Sequence, residues 1–140
     1  MALPAHNLEL AFAWLDALRR QDLERLAQLL DPAVTWTAIG QPPDQPPGCA
    51  NRDAVLAMLR RGFAHHGEAT IEALELAASD SHALIGRRNP QLVELNGVPL
   101  LGQAFLALTI DRGIITEMRG YAGRDEARRA ARLGPATDWH

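Results

Sequence analysis

Few side chains in this sequence have the chemistry to do more than pack. His65 and His66 are adjacent. On a helix they point about 100° apart, so they do not make a facial metal pair. There is no Cys-x-x-Cys, no metal-type His-x-x-x-His and no glycine-rich phosphate loop. Serine occurs only at Ser79 and Ser81, on either side of Asp80 in a turn, which argues against a serine hydrolase. Cys49 follows Gly48 in a proline-rich stretch. A nucleophilic cysteine needs a positioned base, and an inert thiol is expected here. Two candidates are left. His66 falls at the end of a helical pattern and is either a general base or a solvated histidine favoured by the helix dipole. Arg87 falls within a strand pattern. A buried guanidinium there would clamp a carboxylate, carbonyl or enolate oxygen on an otherwise apolar ligand. The alternatives are a structural ion pair with Glu75 or Glu94, or a register in which Arg88 points inward instead.

Composition narrows the classes. A length of 140 residues suits one domain, with 47% hydrophobic and 22% charged residues, as in ordinary globular chains. The net charge of −3 argues against a nucleic-acid partner, which would call for a basic surface. No apolar run is long enough for a bilayer, so no membrane partner is expected. The single cysteine requires no oxidising compartment, and Met1 to His6 lacks a secretion pattern, so a cytoplasmic location is expected. No metal and no cofactor are expected.

The elements that must position Arg87 come in a telling order. Leu8, Ala11, Phe12, Leu15 and Leu18 predict a first helix, with Asn7 as its N-cap and Trp14 beside the apolar stripe. Asp22 caps a second helix, and Asp31-Pro32 ends it. Val34 to Ile39 predicts a strand. Residues 41–48, with four prolines, predict an extended loop. Asn51 caps a third helix with Val55, Met58, Leu59 and Phe63 on its apolar face, and Gly67 suits its end. The rest predicts strands: 70–78, against a local helical propensity, then 83–88, the Asn96-Gly97 hairpin, 103–110 and 114–121. A helical tail follows over 124–133, whose arginines are expected to be solvated and paired locally with Asp125 and Glu126. Helices first and strands last predict an α+β fold, a curved mixed sheet wrapped around three N-terminal helices.

Three stretches carry a resemblance. They are 14–23 (Trp14-Leu15-Asp16-Ala17-Leu18 onward), 29–36 (Leu29-Leu30-Asp31-Pro32-Ala33-Val34-Thr35-Trp36) and 113–121 (Gly113-Ile114-Ile115-Thr116-Glu117-Met118-Arg119-Gly120-Tyr121), the last followed by Arg124-Asp125-Glu126-Ala127. Asn51-Arg52-Asp53-Ala54-Val55 adds the opening of the third helix. In this order they resemble the SnoaL-like, polyketide-cyclase-like branch of the nuclear transport factor 2-like superfamily. The resemblance covers nearly the whole chain. It implies a cystatin-like cone enclosing an apolar cavity, a homodimer, and activities that range over isomerisation, epoxide hydrolysis, cyclisation and dehydration.

The resemblance also tests those activities. Trp14 stands at the position of a catalytic tyrosine of the steroid isomerases. Thr37, or Trp36 if the register slips by one, matches their general-base aspartate, and Gln103 their second aspartate. None of these replacements takes a proton from carbon. Against the Arg-x-Asp of the epoxide hydrolases the chain has Arg87-Arg88-Asn89, and at the last-strand aspartate it has Gly120.

Strand parity then assigns faces. Ala83, Ile85, Arg87 and Asn89 are expected inward, as are Gln103, Phe105 and Ala107 on the long strand and Met118 and Gly120 on the last. Leu106, Leu108, Arg119 and Tyr121 are expected outward, toward a partner subunit. The expected ligand site is Trp14, Trp36, Thr37, Met58, Phe63, Ile85, Arg87, Asn89, Gln103, Phe105 and Met118. Its expected occupant is a small apolar or amphipathic molecule. An enzyme using Arg87 and His66, and a dimerisation module with a filled core, are the alternatives.

Overall fold

The computed structural model describes residues 4–41, 44, 48–66, 72–88 and 93–134. Helix α1 (Pro4–Arg19) opens on proline, which suits a first helical turn. It ends where Gln21 takes φ +55° and the Asp22 N–H donates to the Ala17 carbonyl, closing the last turn. The helix therefore begins a turn earlier than its stripe predicts, and Asn7 is not its cap. Asn7 is instead buried and donates to the Ser79 carbonyl at 2.8 Å. The buried arc runs through Ala11, Trp14, Leu15 and Ala17, while Leu8 and Phe12 are 40% and 56% exposed. The helix is thus rotated toward Trp14, because the sheet meets it along the Asn7–Trp14 edge.

Asp22 caps α2 (Leu23–Leu29) by accepting from the Arg25 N–H. Strand β1 (Leu30–Thr37) follows at once, earlier than predicted, and includes Pro32. It lies at a sheet edge, with an irregular register between Leu30 and Thr35, so a residue without an N–H is tolerated. Asn51 caps α3 (Arg52–His66) through the Ala54 N–H. Of the proline loop only residues 41, 44 and 48 are described, and Gly67 lies outside the described residues.

The remaining strands are β2 (Glu72–Ala78), β3 (His82–Arg88), β4 (Glu94–Leu95), β5 (Val98–Pro99), β6 (Gln103–Asp111) and β7 (Ile114–Tyr121). Segment 72–78 is a strand despite its helical propensity, because it pairs antiparallel with β3. Asn96 and Gly97 take φ +51° and +81° in the β4–β5 turn, as an Asn-Gly hairpin requires. The main sheet has the order β1-β7-β6-β3-β2 and is antiparallel except for the β1–β7 pair, so it is mixed. Helices α1, α2 and α3 cover its inner face, and α4 (Arg124–Ala130) packs on the outer face. The architecture is the α+β cone expected.

The register corrects one set of faces. Leu106 pairs with Ile85 and Gly120, and Leu108 with Ala83 and Met118. Leu106, Leu108 and Ile110 therefore face the helices, and Gln103, Phe105 and Ala107 face outward. Both faces of β6 are apolar because both are covered, so alternation alone does not show which is inside. The inward assignments of Ala83, Ile85, Met118 and Gly120 hold in this register. The outer cluster joins Leu84, Phe105 and Ala107 to Ala127 and Ala131 of the C-terminal segment. Gly86 leaves room for it: a Cβ there would lie 2.9 Å from the Phe105 ring.

The arginines of α4 also differ from expectation. Arg124 donates to both Glu75 carboxylate oxygens, at 2.8 and 2.7 Å, and Arg128 donates to one at 2.7 Å. The i, i+4 spacing puts both on the helix face that meets the sheet. Their hydrogen bonds, Arg124 first, hold the Glu75 carboxyl below its ordinary pKa against the opposing effect of burial. Arg87 therefore has no claim on Glu75, and Glu94 is exposed.

Candidate functional site

A pocket of about 70 Å³ lies at the end of the inner face nearest the β4–β5 hairpin. Trp14 and Leu18 of α1, Trp36 of β1, Ile85 of β3 and Leu106 of β6 form its apolar walls. The two tryptophan rings meet at 6.4 Å between centroids, tilted by 54°. Past them, Ile39 and Leu95 close the hairpin end.

Arg87 enters this pocket from the last turn of β3, one residue pair beyond Ile85 and opposite Ala104. Its guanidinium is the only charged group among the described lining residues. It is partly buried, and burial pulls its pKa below the ordinary arginine value. Among the described residues it makes no ion pair and no hydrogen bond, so the alternative of a structural pair with Glu75 or Glu94 is not formed. Arg88, one position on, is exposed. Alternation of the strand settles which arginine faces the pocket, and it is Arg87.

The expected site residues divide sharply. Trp14, Trp36, Ile85 and Arg87 come together in the pocket. Phe105 borders it, but its ring packs in the outer cluster. Gln103 pairs with Arg88 on the outward parity and does not line the pocket. The β1 register aligns Trp36 with Met118 and Thr37 with Arg119, so Trp36 points in and Thr37 out. Met118 is fully buried in the main core. Met58 and Phe63 pack against that same core from α3 and do not reach the pocket lining. Asn89 and the His66 side chain lie outside the described residues. Sequence reasoning missed several lining residues, among them Leu18, Ile39, Leu95 and Leu106. Leu106 was legible from the longer apolar row Leu106–Leu108–Ile110, whereas Ile39 lies past the end of β1 and Leu95 belongs to a two-residue strand, too short for any periodicity.

The chemistry available is limited by these side chains. None of the described lining residues takes up a proton near neutral pH. A lone guanidinium among apolar groups binds and polarises an anionic or carbonyl oxygen. Cys49 offers nothing further: it is buried, backbone-paired with Trp36, and burial pushes its thiol pKa up. Among the described residues no cluster of His, Cys, Asp and Glu could hold a metal, and no helix is long and apolar enough to cross a membrane. A wider groove of about 560 Å³ beside α1 is bordered by exposed His6, Glu9, Arg25 and Arg112 and encloses nothing.

The same fold recurs in solved structures. A SnoaL-like protein of unknown function from Burkholderia thailandensis superposes with a TM-score of 0.67 at 14% identity, over 89% of this chain and all of that one. A cystatin-fold protein from Novosphingobium aromaticivorans gives 0.65 at 15% identity, over 86% and 97%. An epoxide hydrolase of M. tuberculosis gives 0.64 at 13% identity, over 94% and 88%. Identities this low carry the fold alone. No curated protein has a matching sequence. The SnoaL-like domain family matches residues 11–118, from the middle of α1 to Met118 of β7, and the chain belongs to that family.

Proposed function

We propose that this protein binds a small, mainly apolar molecule carrying one anionic or carbonyl oxygen. The apolar end lies against Trp14, Trp36 and Ile85, and the oxygen meets Arg87. One observation carries this reading: among the described residues, the Arg87 guanidinium has no partner and is the only charged group lining a mainly apolar pocket. A buried charge without a partner is costly, and a ligand oxygen would supply that partner. Epoxide-hydrolase, cyclase or isomerase chemistry is not proposed, because the described lining contains no carboxylate to act as a base.

The pocket volume of about 70 Å³ favours a second reading, a domain whose core is filled by its own side chains. Ordinary ligand sites enclose roughly 300–1,000 Å³. Calorimetry with matched benzoate, benzamide and toluene probes separates the two. Benzoate and benzamide binding above toluene, lost in Arg87→Ala, is the expected result. Equal, negligible binding of all three would favour the filled core.

We further propose a homodimer through the outer sheet face around Thr37 and Arg119, beside the cluster that Tyr121 shares with Ala127 and Ala131. The Arg119 Nε there is buried without a hydrogen-bond partner among the described residues. The leucines first expected on this face, Leu106 and Leu108, play no part. Sedimentation at micromolar concentration showing only monomer would count against the dimer.

A further inference from the structure

Two side chains close the hairpin end of the pocket, Ile39 and Leu95, and of the two Ile39 is the buried one. Ile39 stands two residues past β1, is 7% exposed, and packs with Leu100 and Ala104 while also lining the pocket. It is therefore a partition, with the ligand space on one side and an apolar cluster under the hairpin on the other.

The backbone that carries Ile39 is pinned from two directions. Below it lies Gly120 of β7. A Cβ on Gly120 would sit 2.8 Å from Ile39 Cγ1 and 3.2 Å from the Ile39 nitrogen, so only glycine lets the segment descend this far onto the sheet. Above it, the Asn96 side chain donates to the Ile39 carbonyl at 2.8 Å. Gly40 then turns away with φ +81°, in a place where a Cβ would lie 3.0 Å from Asn96 and Val98. Isoleucine is also stiff at its first side-chain torsion. A wall held this way does not retract for a larger guest.

We infer that Ile39, seated on Gly120 and tethered by Asn96, is the specificity determinant that limits the length of ligand the pocket accepts. The inference rests on the proposed function in so far as it supposes a ligand in this pocket. It adds which residue rejects larger molecules. Behind Ile39 lie the apolar side chains of Leu100 and Val98, so removing it lengthens the pocket toward an apolar cluster.

The test uses the full chain and two matched probe series, straight-chain carboxylates and the corresponding primary alcohols, titrated by calorimetry. In the unmodified protein, affinity should rise about fourfold per added methylene and then fall at a limiting length. Ile39→Ala should move that limit outward by about two carbons, because side-chain volume is exchanged for ligand volume. Ile39→Val should improve binding of the first rejected member, and it carries the test alone should Ile39→Ala not fold. Asn96→Gly, which keeps the positive φ and removes the tether, should blur the limit. An unchanged limit in a folded Ile39 variant overturns the inference. The head group reports separately. A shifted limit without preference for carboxylate over alcohol would refute the Arg87 reading and leave Ile39 standing. A carboxylate preference with an unshifted limit would do the reverse. Failure of every probe to bind any variant refutes both.

Discussion

Replacing Arg87 by methionine should make the protein more stable. The guanidinium sits between Ile85 and the hairpin, faces Ala104 across the sheet, and has no partner among the described residues. Its depressed pKa has one cause, desolvation, and among the described residues nothing offsets the cost of holding the charge. Methionine keeps the length of the stem, which also packs, and lets a flexible thioether relax into the small adjoining cavity. Exchanging buried ionic groups for apolar ones gains about 1–4 kcal/mol when fully buried, and partial exposure puts Arg87 toward the lower end, about 1–2 kcal/mol. Urea unfolding should show a higher midpoint with an unchanged slope. Melting should rise by about 2–8 °C, given a shift of roughly 2–4 °C per kcal/mol for a domain of this size. Arg87→Ala, which discards the stem as well, should lie near zero. A loss of more than about 1 kcal/mol in Arg87→Met would refute the reasoning, because only a compensated charge is missed when it is removed.

Glu75→Gln should cost about 2–4 kcal/mol, since it strands two guanidiniums that now share one carboxylate, and chemical denaturation would measure it. The folded pKa of Glu75 is depressed, so its contribution is present above the unfolded value of about 4.3 and is lost as pH falls through the folded one. The variant should accordingly show a shallower acid limb than the parent. His82 has its folded pKa lowered by burial first and by Arg132 second, against Glu117. Neutral His82 suits the fold, so stability should decline as pH falls below about 6.5, and His82→Gln should flatten that slope. Gly120→Ala should destabilise by about 1–3 kcal/mol through overpacking against Ile39, and Ile39→Ala in the same chain should recover part of it, as a double-mutant cycle would show.

Much of this is legible in the sequence. Asp22 and Asn51 announced two helix starts, and Asn96-Gly97 a hairpin, because each is a local rule with a local cause. Trp14, Trp36, Ile85 and Arg87, named from helix spacing, strand parity and the family resemblance, line one pocket. The failures were non-local. The face of β6 depended on α4, twenty residues further on, covering the side that alternation would otherwise mark as polar. Thr109 and Gln103, both on the outward parity, were the available hint. The i, i+4 spacing of Arg124 and Arg128 showed a shared face but not that its partner was Glu75, 49 residues earlier. Ile39 lay past the end of its strand, where only the glycine opposite it betrays a close approach.

The turn between β2 and β3 has a consequence for the order of events during folding. The Ser79 carbonyl accepts from Asn7 in the first helix, and its hydroxyl donates to the carbonyl of Ala131 just past the last one. These contacts close separations of 72 and 52 residues. The parallel pairing of Leu30 with Ile115 spans more still. Each closure is entropically expensive and is rewarded only once the intervening chain exists. A chain made from its N-terminus therefore presents three amphipathic helices when β1 is the only strand of the main sheet yet synthesised. Asn7 waits for residue 79, and β1 waits for β7. Domains dominated by such distant pairings fold slowly and expose apolar surface meanwhile. For this protein the vulnerable interval is the emergence of residues 4–66, and it ends only when β7 docks beside β1.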